Sequence, residues 1–279
     1  MISGTGVGLH TGVECSVVLR PSPADTGWLI RRSDIVGSTL ERVSPESLCD
    51  GNYATQLSIS GTRISTVEHL FSALFSHKID NVIIEIDGPE VPIFDGSAQF
   101  WDNSLRDTGA EPMPEPAQYL VVTKTVRVSE GERWVELAPQ GDSKRRGLSV
   151  EVTTLFKHPL IGRSDTSFDL TTDYFSSEIA WARTFCFEAD ISDLKAAGLA
   201  KGGTLSNAIV FGKDDVINQG GLKAIDEVLR HKCMDLLGDL AILNSRISGR
   251  VRAYMPGHSL TGALVRALLS QPEAWTIRR

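Results

Sequence analysis

Ser65-Thr66-Val67-Glu68-His69-Leu70-Phe71-Ser72-Ala73-Leu74-Phe75 is the stretch where the pattern of this chain changes. Upstream of it, alternating segments such as Glu14 to Leu19, Trp28 to Arg31 and Ala54 to Ser60, set off by Pro and Gly, read as antiparallel strands. From Ser65 the apolar residues Val67, Leu70, Phe71, Leu74 and Phe75 recur at the i, i+3, i+4, i+7, i+8 spacing of an amphipathic helix. A strand from Asn81 to Asp87 follows, then a helix from Ser97 to Thr108 that stops at Gly109.

The same succession returns downstream. Ala110 to Gln118 carries Pro112, Pro114 and Pro116 and no periodicity, so residues 111–118 read as a linker between a first α+β domain, 1–110, and a second, 119–279. Tyr119 to Val128, Arg133 to Leu137 and Leu148 to Phe156 read as strands, and a long helix runs from about Leu222 to Leu243. A strand, Arg250 to Tyr254, and a helix, Ser259 to Leu269, stopped by Pro272, complete the half. Both halves run strands, helix, strand, helix, which predicts an α+β fold of two related layers facing each other. The repeat is one of pattern and not of sequence identity. An insertion at about 185–213 interrupts the second half. Its Phe185, Phe187, Ile191, Leu194, Leu199, Ile209 and Val210 are too many for a solvated loop, so it covers something apolar or makes a small core of its own.

With 41% hydrophobic and 23% charged residues, the 279-residue chain sits in the globular range. Thirty-five acids against 28 bases give a formal charge of -7, which argues against a general nucleic-acid surface. Apolar runs such as Asn81 to Ile86 fall far short of a bilayer span. The start, Met-Ile-Ser-Gly-Thr-Gly, has neither a basic nor an apolar stretch, so a cytoplasmic protein is expected; a monomer is expected as well. Cys15, Cys49, Cys186 and Cys233 are too scattered for a metal knuckle or a redox pair and read as ordinary thiols.

Three histidines stand in unusual places. On the helix after Ser65, His69 points about 200° from Val67, beside Ser72, Ala73 and Ser76 and off the apolar stripe. By itself that is a surface histidine. Glu68 closes a capping box with Ser65, yet a carboxylate next to a metal-binding histidine is also placed to accept a proton from water, and the sequence leaves both open. On the long helix His231 and Asp235 are four apart, with Asp239 continuing the stripe and Leu229, Cys233, Leu236, Leu237 and Leu240 opposite. They read either as a solvated pair or as a nitrogen and an oxygen for one zinc ion. His69 and the His231/Asp235 pair lie on equivalent helices of the two halves, so facing layers would join them into three donors with an open fourth position, the arrangement of catalytic zinc. His258, in Gly257-His258-Ser259, follows a strand at a loop position open to a shared cleft.

Taken together these residues resemble the UDP-3-O-acyl-N-acetylglucosamine deacetylase family. The likeness is carried by Gly6 to Gly12, Ile64 to Leu70, Val91 to Ser97, Phe156 to Pro159, Ala182 to Phe185, Leu199 to Gly203, His231 to Asp239 and Gly257-His258, in order along most of the chain. The resemblance implies two βααβ sandwich layers, with the insertion forming a passage for an acyl chain. It implies zinc held by His69, His231 and Asp235, Glu68 as general base and His258 as general acid. Thr184 would stabilise the developing oxyanion and Asp239 would orient His258. Lys232 and Phe156 would contact the nucleotide, and Phe185, Leu199 and Gly203 would touch the substrate. The implied activity is removal of acetate from a UDP-linked 3-O-acyl-N-acetylglucosamine in lipid A biosynthesis, the alternative being a non-catalytic sugar-nucleotide or lipid-binding homologue of the same fold. Cys186 and Met255 depart from the pattern, which implies a narrower passage mouth and, for want of a basic side chain at 255, a weaker hold on the diphosphate.

Overall fold

In the computed structural model, which describes residues 1–49, 51, 53–141 and 146–279, the alternation of the first half becomes two sheets and two helices. In chain order these are β1 (Ile2–Val7), β2 (Glu14–Pro21), β3 (Trp28–Arg32), β4 (Glu41–Arg42), β5 (Leu48–Cys49), β6 (Gln56–Ile59), β7 (Thr62–Ser65), α1 (Glu68–Ser76), β8 (Val82–Ile86) and α2 (Gln99–Thr108). The second half holds β9 (Tyr119–Val122), β10 (Val126–Glu130), β11 (Arg133–Ala138), β12 (Leu148–Leu155), β13 (Arg163–Asp169), α3 (Thr172–Tyr174), β14 (Phe185–Phe187), α4 (Ile191–Ala196), β15 (Ile209–Phe211), α5 (Glu227–Leu240), β16 (Arg246–Tyr254), α6 (His258–Leu269) and β17 (Trp275–Arg278).

The pattern repeat is a repeat of topology. The first large sheet runs β1-β2-β8-β3-β4 and the second contains β10-β11-β16-β12-β13. In each, the strand after the helix enters between the second and third, antiparallel to the one and parallel to the other. The alternation predicted for Glu14 to Leu19 places Cys15, Val17 and Leu19 inward on β2, and Leu148, Val150, Val152 and Thr154 do the same on β12. The expected single strand from Tyr119 to Val128 is two. The start of β16 pairs with β9 while its later residues pair with β11, the partner of β10, so the chain steps across between them. The long helix starts at Glu227 and not Leu222, because the Glu227 carboxylate accepts the Lys223 N–H at 2.6 Å and brackets the preceding loop.

The four main helices form a layer between the sheets. Trp28 of β3 meets Phe71 of α1 edge to face at 5.1 Å, α5 touches β12 and β13, and α6 lies on β10 and β11. One continuous core therefore runs from Val17 and Ile30 through Leu70 and Leu237 to Val251 and Leu264. At its centre α1 and α5 pack against each other so closely that a Cβ on Gly238 would stand 2.1 Å from the Glu68 carbonyl oxygen. A glycine inside a helix sacrifices about 1 kcal/mol of helix propensity, and here backbone contact is what requires it. Gly238→Ala is expected to force the helices apart and lower stability by about 1–3 kcal/mol or more, read as a lower midpoint in denaturant unfolding.

Candidate functional site

The crossing of α1 and α5 sets the site. Every residue of α1 except Phe75 is buried, and on α5 only Arg230 and Lys232 escape full burial. The face of α1 that the sequence leaves for solvent is instead closed over by the other half. His69, His231 and Asp235 are accordingly 5%, 3% and 4% exposed, which overturns the surface-histidine and solvated-pair readings. Their ligand atoms all lie within 4.8 Å of one another. His231 Nε2 stands 3.3 Å and His69 Nε2 3.9 Å from Asp235 Oδ1, close to the roughly 3.3 Å between donors on a tetrahedral ion. His231 Nδ1–H donates to the Ala182 carbonyl at 3.1 Å, which turns Nε2 toward the cluster.

The protonation states suit metal binding. Burial, with His231 beside it, lowers His69 to about 3, and burial lowers His231 as well, so both rings are neutral with a lone pair to give. Burial opposes charge on Asp235, but His231, Lys232, His258 and His69 outweigh it and hold the carboxyl far below the usual range. Lys232 Nζ donates to Asp235 Oδ2 at 2.7 Å. The donor set, two neutral imidazoles and one carboxylate with no thiol, fits an open zinc centre.

Glu68 and His258 complete the floor. The expected capping box does not form: Ser65 ends β7, Thr66 takes a left-handed turn at φ 58°, and the helix begins at Glu68 with no side-chain cap. Glu68 Oε2 instead accepts the Thr55 N–H at 3.0 Å, and Oε1 lies 3.8 Å from His258 Nε2. Burial pushes the Glu68 carboxyl up to about 8, with Asp235 and Asp239 adding to the rise against His258. On His258 burial works downward, but Asp239, Glu68 and Asp235 overcome it and raise the imidazole to about 9. Its Nδ1 is 3.0 Å from Asp239 Oδ1, so Nε2 faces the floor.

These groups open into a cavity of about 330 Å³ whose walls come from both halves: Leu9, His10, Tyr53 and Ile93 from the first, Phe156, Phe185, Met255 and Arg133 from the second. Thr184 lines it too, its N–H donated to the Gly96 carbonyl at 2.7 Å. Gly96 sits at φ 88° with the Asn207 carbonyl 2.1 Å from where a Cβ would be, so only glycine serves that turn. The insertion also builds the second core expected as an alternative: Ile209, Phe211 and Val228 are buried, and Phe156, Phe185 and Phe187 pack on them. Phe156 and Phe185, with rings edge to face at 5.5 Å, belong to that core and to the cavity wall at once.

The profile of the family described as UDP-3-O-acyl N-acetylglycosamine deacetylase, LpxC, matches residues 1–270. A UDP-3-O-acyl-N-acetylglucosamine deacetylase of Actinobacillus pleuropneumoniae is 40% identical over 274 residues, 97% of this chain and 88% of the relative. The proteins of that name from Shewanella piezotolerans, 39% identical over 99% of this chain and 90% of theirs, and Bdellovibrio bacteriovorus, 38% over 97% and 88%, are similar to it as well. This chain belongs to the UDP-3-O-acyl-N-acetylglucosamine deacetylase family. Of the residues that the family likeness singled out, His69, His231, Asp235, Glu68, His258, Thr184, Lys232, Phe156 and Phe185 line one cavity. Asp239 stands behind His258, and Leu199 and Gly203 lie outside the lining on the insertion. Cys186, half-buried on β14, is likewise outside it, whereas Met255 lines it with its carbonyl held by Arg133 Nε at 3.1 Å.

The sequence reading missed Thr55, Glu90 and Arg133. Glu90, fully buried, accepts the His10 and Thr11 N–H groups and the Thr11 and Thr66 hydroxyls, and so ties the Gly6 to Gly12 loop to the start of α1. Its position in a Gly-Pro loop carried no periodic signal; the only hint was its place beside the Val91 to Ser97 motif. His69→Ala, His231→Ala and Asp235→Ala are each expected to lose most bound metal, since a three-ligand site has no spare donor. Elemental analysis after dialysis checks this, and full stoichiometry in any one removes that residue from the ligand set.

Proposed function

We infer that this chain is a zinc-dependent UDP-3-O-acyl-N-acetylglucosamine deacetylase of lipid A biosynthesis, with the three buried donors as its metal ligands. The observation that carries the reading is that Glu68 and His258 flank those donors on one cavity floor, with His258 Nε2 3.8 Å from Glu68 Oε1 and 3.9 Å from Asp235 Oδ2. Zinc held there would lower the pKa of water to about 7 and polarise an amide carbonyl. Glu68 Oε1 takes the proton that the attacking water gives up. Thr184 faces the oxygen on which negative charge develops, and His258 Nε2 delivers a proton to the departing sugar amine, which does not leave as an anion. Asp239 keeps the His258 proton on the correct side by holding Nδ1. Lys232 and Arg133 bring positive charge to the cavity, suited to a diphosphate.

Glu68→Gln is expected to keep its metal and its melting temperature while kcat for acetate release falls by about a hundredfold or more. Near-normal turnover removes the base assignment, and tight substrate binding with no acetate release from the metal-loaded natural protein supports the non-catalytic homologue instead.

The apolar walls extend the reading to the acyl chain. The insertion docks on the cavity's first-half wall, with the Gly202 N–H donated to the Leu9 carbonyl at 3.0 Å and Gly203 beside the Leu9 side chain. Leu199 stands half-buried just ahead of that junction, where it would wall a passage for the acyl chain. Each methylene taken from water contributes about 0.8 kcal/mol, so kcat/KM should favour the acylated substrate over its deacylated form by at least about a hundredfold. Leu199→Ala is expected to shrink that preference, and equal rates on both substrates would leave the insertion as a core alone.

A further inference from the structure

We propose that Thr55 is a positioning residue that holds the proton acceptor and the proton donor of this site in one frame. It stands just before β6, on neither of the ligand-bearing helices, and is 3% exposed. Three groups that no common helix relates converge on it. Its N–H donates to Glu68 Oε2 at 3.0 Å, its hydroxyl donates to Asp239 Oδ1, and the same oxygen lies 3.1 Å from His258 Nδ1. Glu68 opens α1, Asp239 lies on α5 and His258 opens α6, so nothing within any one helix sets their spacing.

The hydrogen-bond inventory gives each contact a direction. A threonine hydroxyl has one proton and two lone pairs. The proton goes to Asp239, which is acceptor-only when ionised, and a lone pair remains for His258 Nδ1–H. That N–H is therefore shared between Asp239 and Thr55, which blocks rotation of the ring and leaves Nε2 toward Glu68. Anchoring Oε2 of Glu68 likewise leaves Oε1 as the oxygen that faces His258 Nε2, at 3.8 Å. The backbone arm survives any side-chain change, so substitution at Thr55 reads the arm that passes through Asp239.

The proposal rests on the roles given above to Glu68 and His258. The test compares metal-loaded, full-length Thr55→Val, Thr55→Ser, Asp239→Ala and the Thr55→Val/Asp239→Ala pair for metal content, kcat and KM. Loss of a hydrogen bond to a charged group predicts a fall in kcat of about tenfold or more for Thr55→Val, with KM within about threefold and metal content unchanged. Thr55→Ser, which keeps the hydroxyl, should recover kcat to within about threefold of the natural protein. Because Thr55 acts through Asp239, the loss from Thr55→Val should shrink in the Asp239→Ala background. Should Thr55→Val not fold, Thr55→Ala loses the same hydroxyl without added bulk and carries the same expectation. Unchanged kcat, equal losses in both backgrounds, or no recovery in Thr55→Ser each overturns the proposal. If Glu68→Gln and Asp239→Ala both turn over normally, the functional reading falls and takes the proposal with it; if they are impaired while Thr55→Val is not, the proposal alone falls.

Discussion

The contact between the Gly238 backbone of α5 and the Glu68 backbone of α1 is the constraint on which the site depends. Helices normally pack with their axes about 8–10 Å apart, spaced by side chains. Removing the side chain at the crossing lets the two come closer, and the residues beside it then meet across the gap. His69 follows Glu68 directly, and Asp235 lies three residues before Gly238, so the spacing of side chains that could hold a metal ion is set by the crossing itself. A looser crossing would separate them while leaving both helices intact. The functional geometry thus rides on the most rigid part of the core, where packing density resists displacement.

That placement has an electrostatic cost. Glu68, Asp235 and Asp239 are all nearly inaccessible, and isolated charges are expensive to bury. Each is therefore engaged: Asp235 by Lys232 and the histidines, Asp239 by Thr55 and His258, Glu68 by the Thr55 amide. The same burial that makes the charges costly raises Glu68 to about 8, while on His258 it works downward and the Asp239, Glu68 and Asp235 carboxylates overcome it and raise the imidazole to about 9. Both values lie above neutrality: His258 is set to hold a proton it could give, and a cation at the three donors would favour the carboxylate form of Glu68 that could accept one. Water in such a pocket meets preorganised partners and not bulk solvent.

Neither half makes the cavity alone. The first contributes the Gly6 to Gly12 loop, clamped by Glu90, and the second contributes the aromatic cluster that its insertion adds. The insertion's Phe185, together with Phe156 just after β12, stabilises a small core with one face and presents the other to the cavity.

The sequence by itself determined the element types, the repeat, and the residues with chemistry to offer. Hydrophobic period is a local property, so the switch at Ser65 and the alternation on β2 and β12 were legible, as was the match of motif order to a family. Polar edge segments such as β13 left no such trace and were not legible, because only Phe168 of that strand is buried in the core and a single apolar residue makes no alternation. Only the tertiary structure decided that the second face of α1 is buried, and with it whether His69 is solvated and whether Glu68 caps a helix. A helix shows which residues share a face but not what that face meets. Thr55, Glu90 and Arg133 were invisible for the same reason: their partners lie on other elements, up to 203 residues away for Thr55 and His258, and proximity across that distance is created by folding.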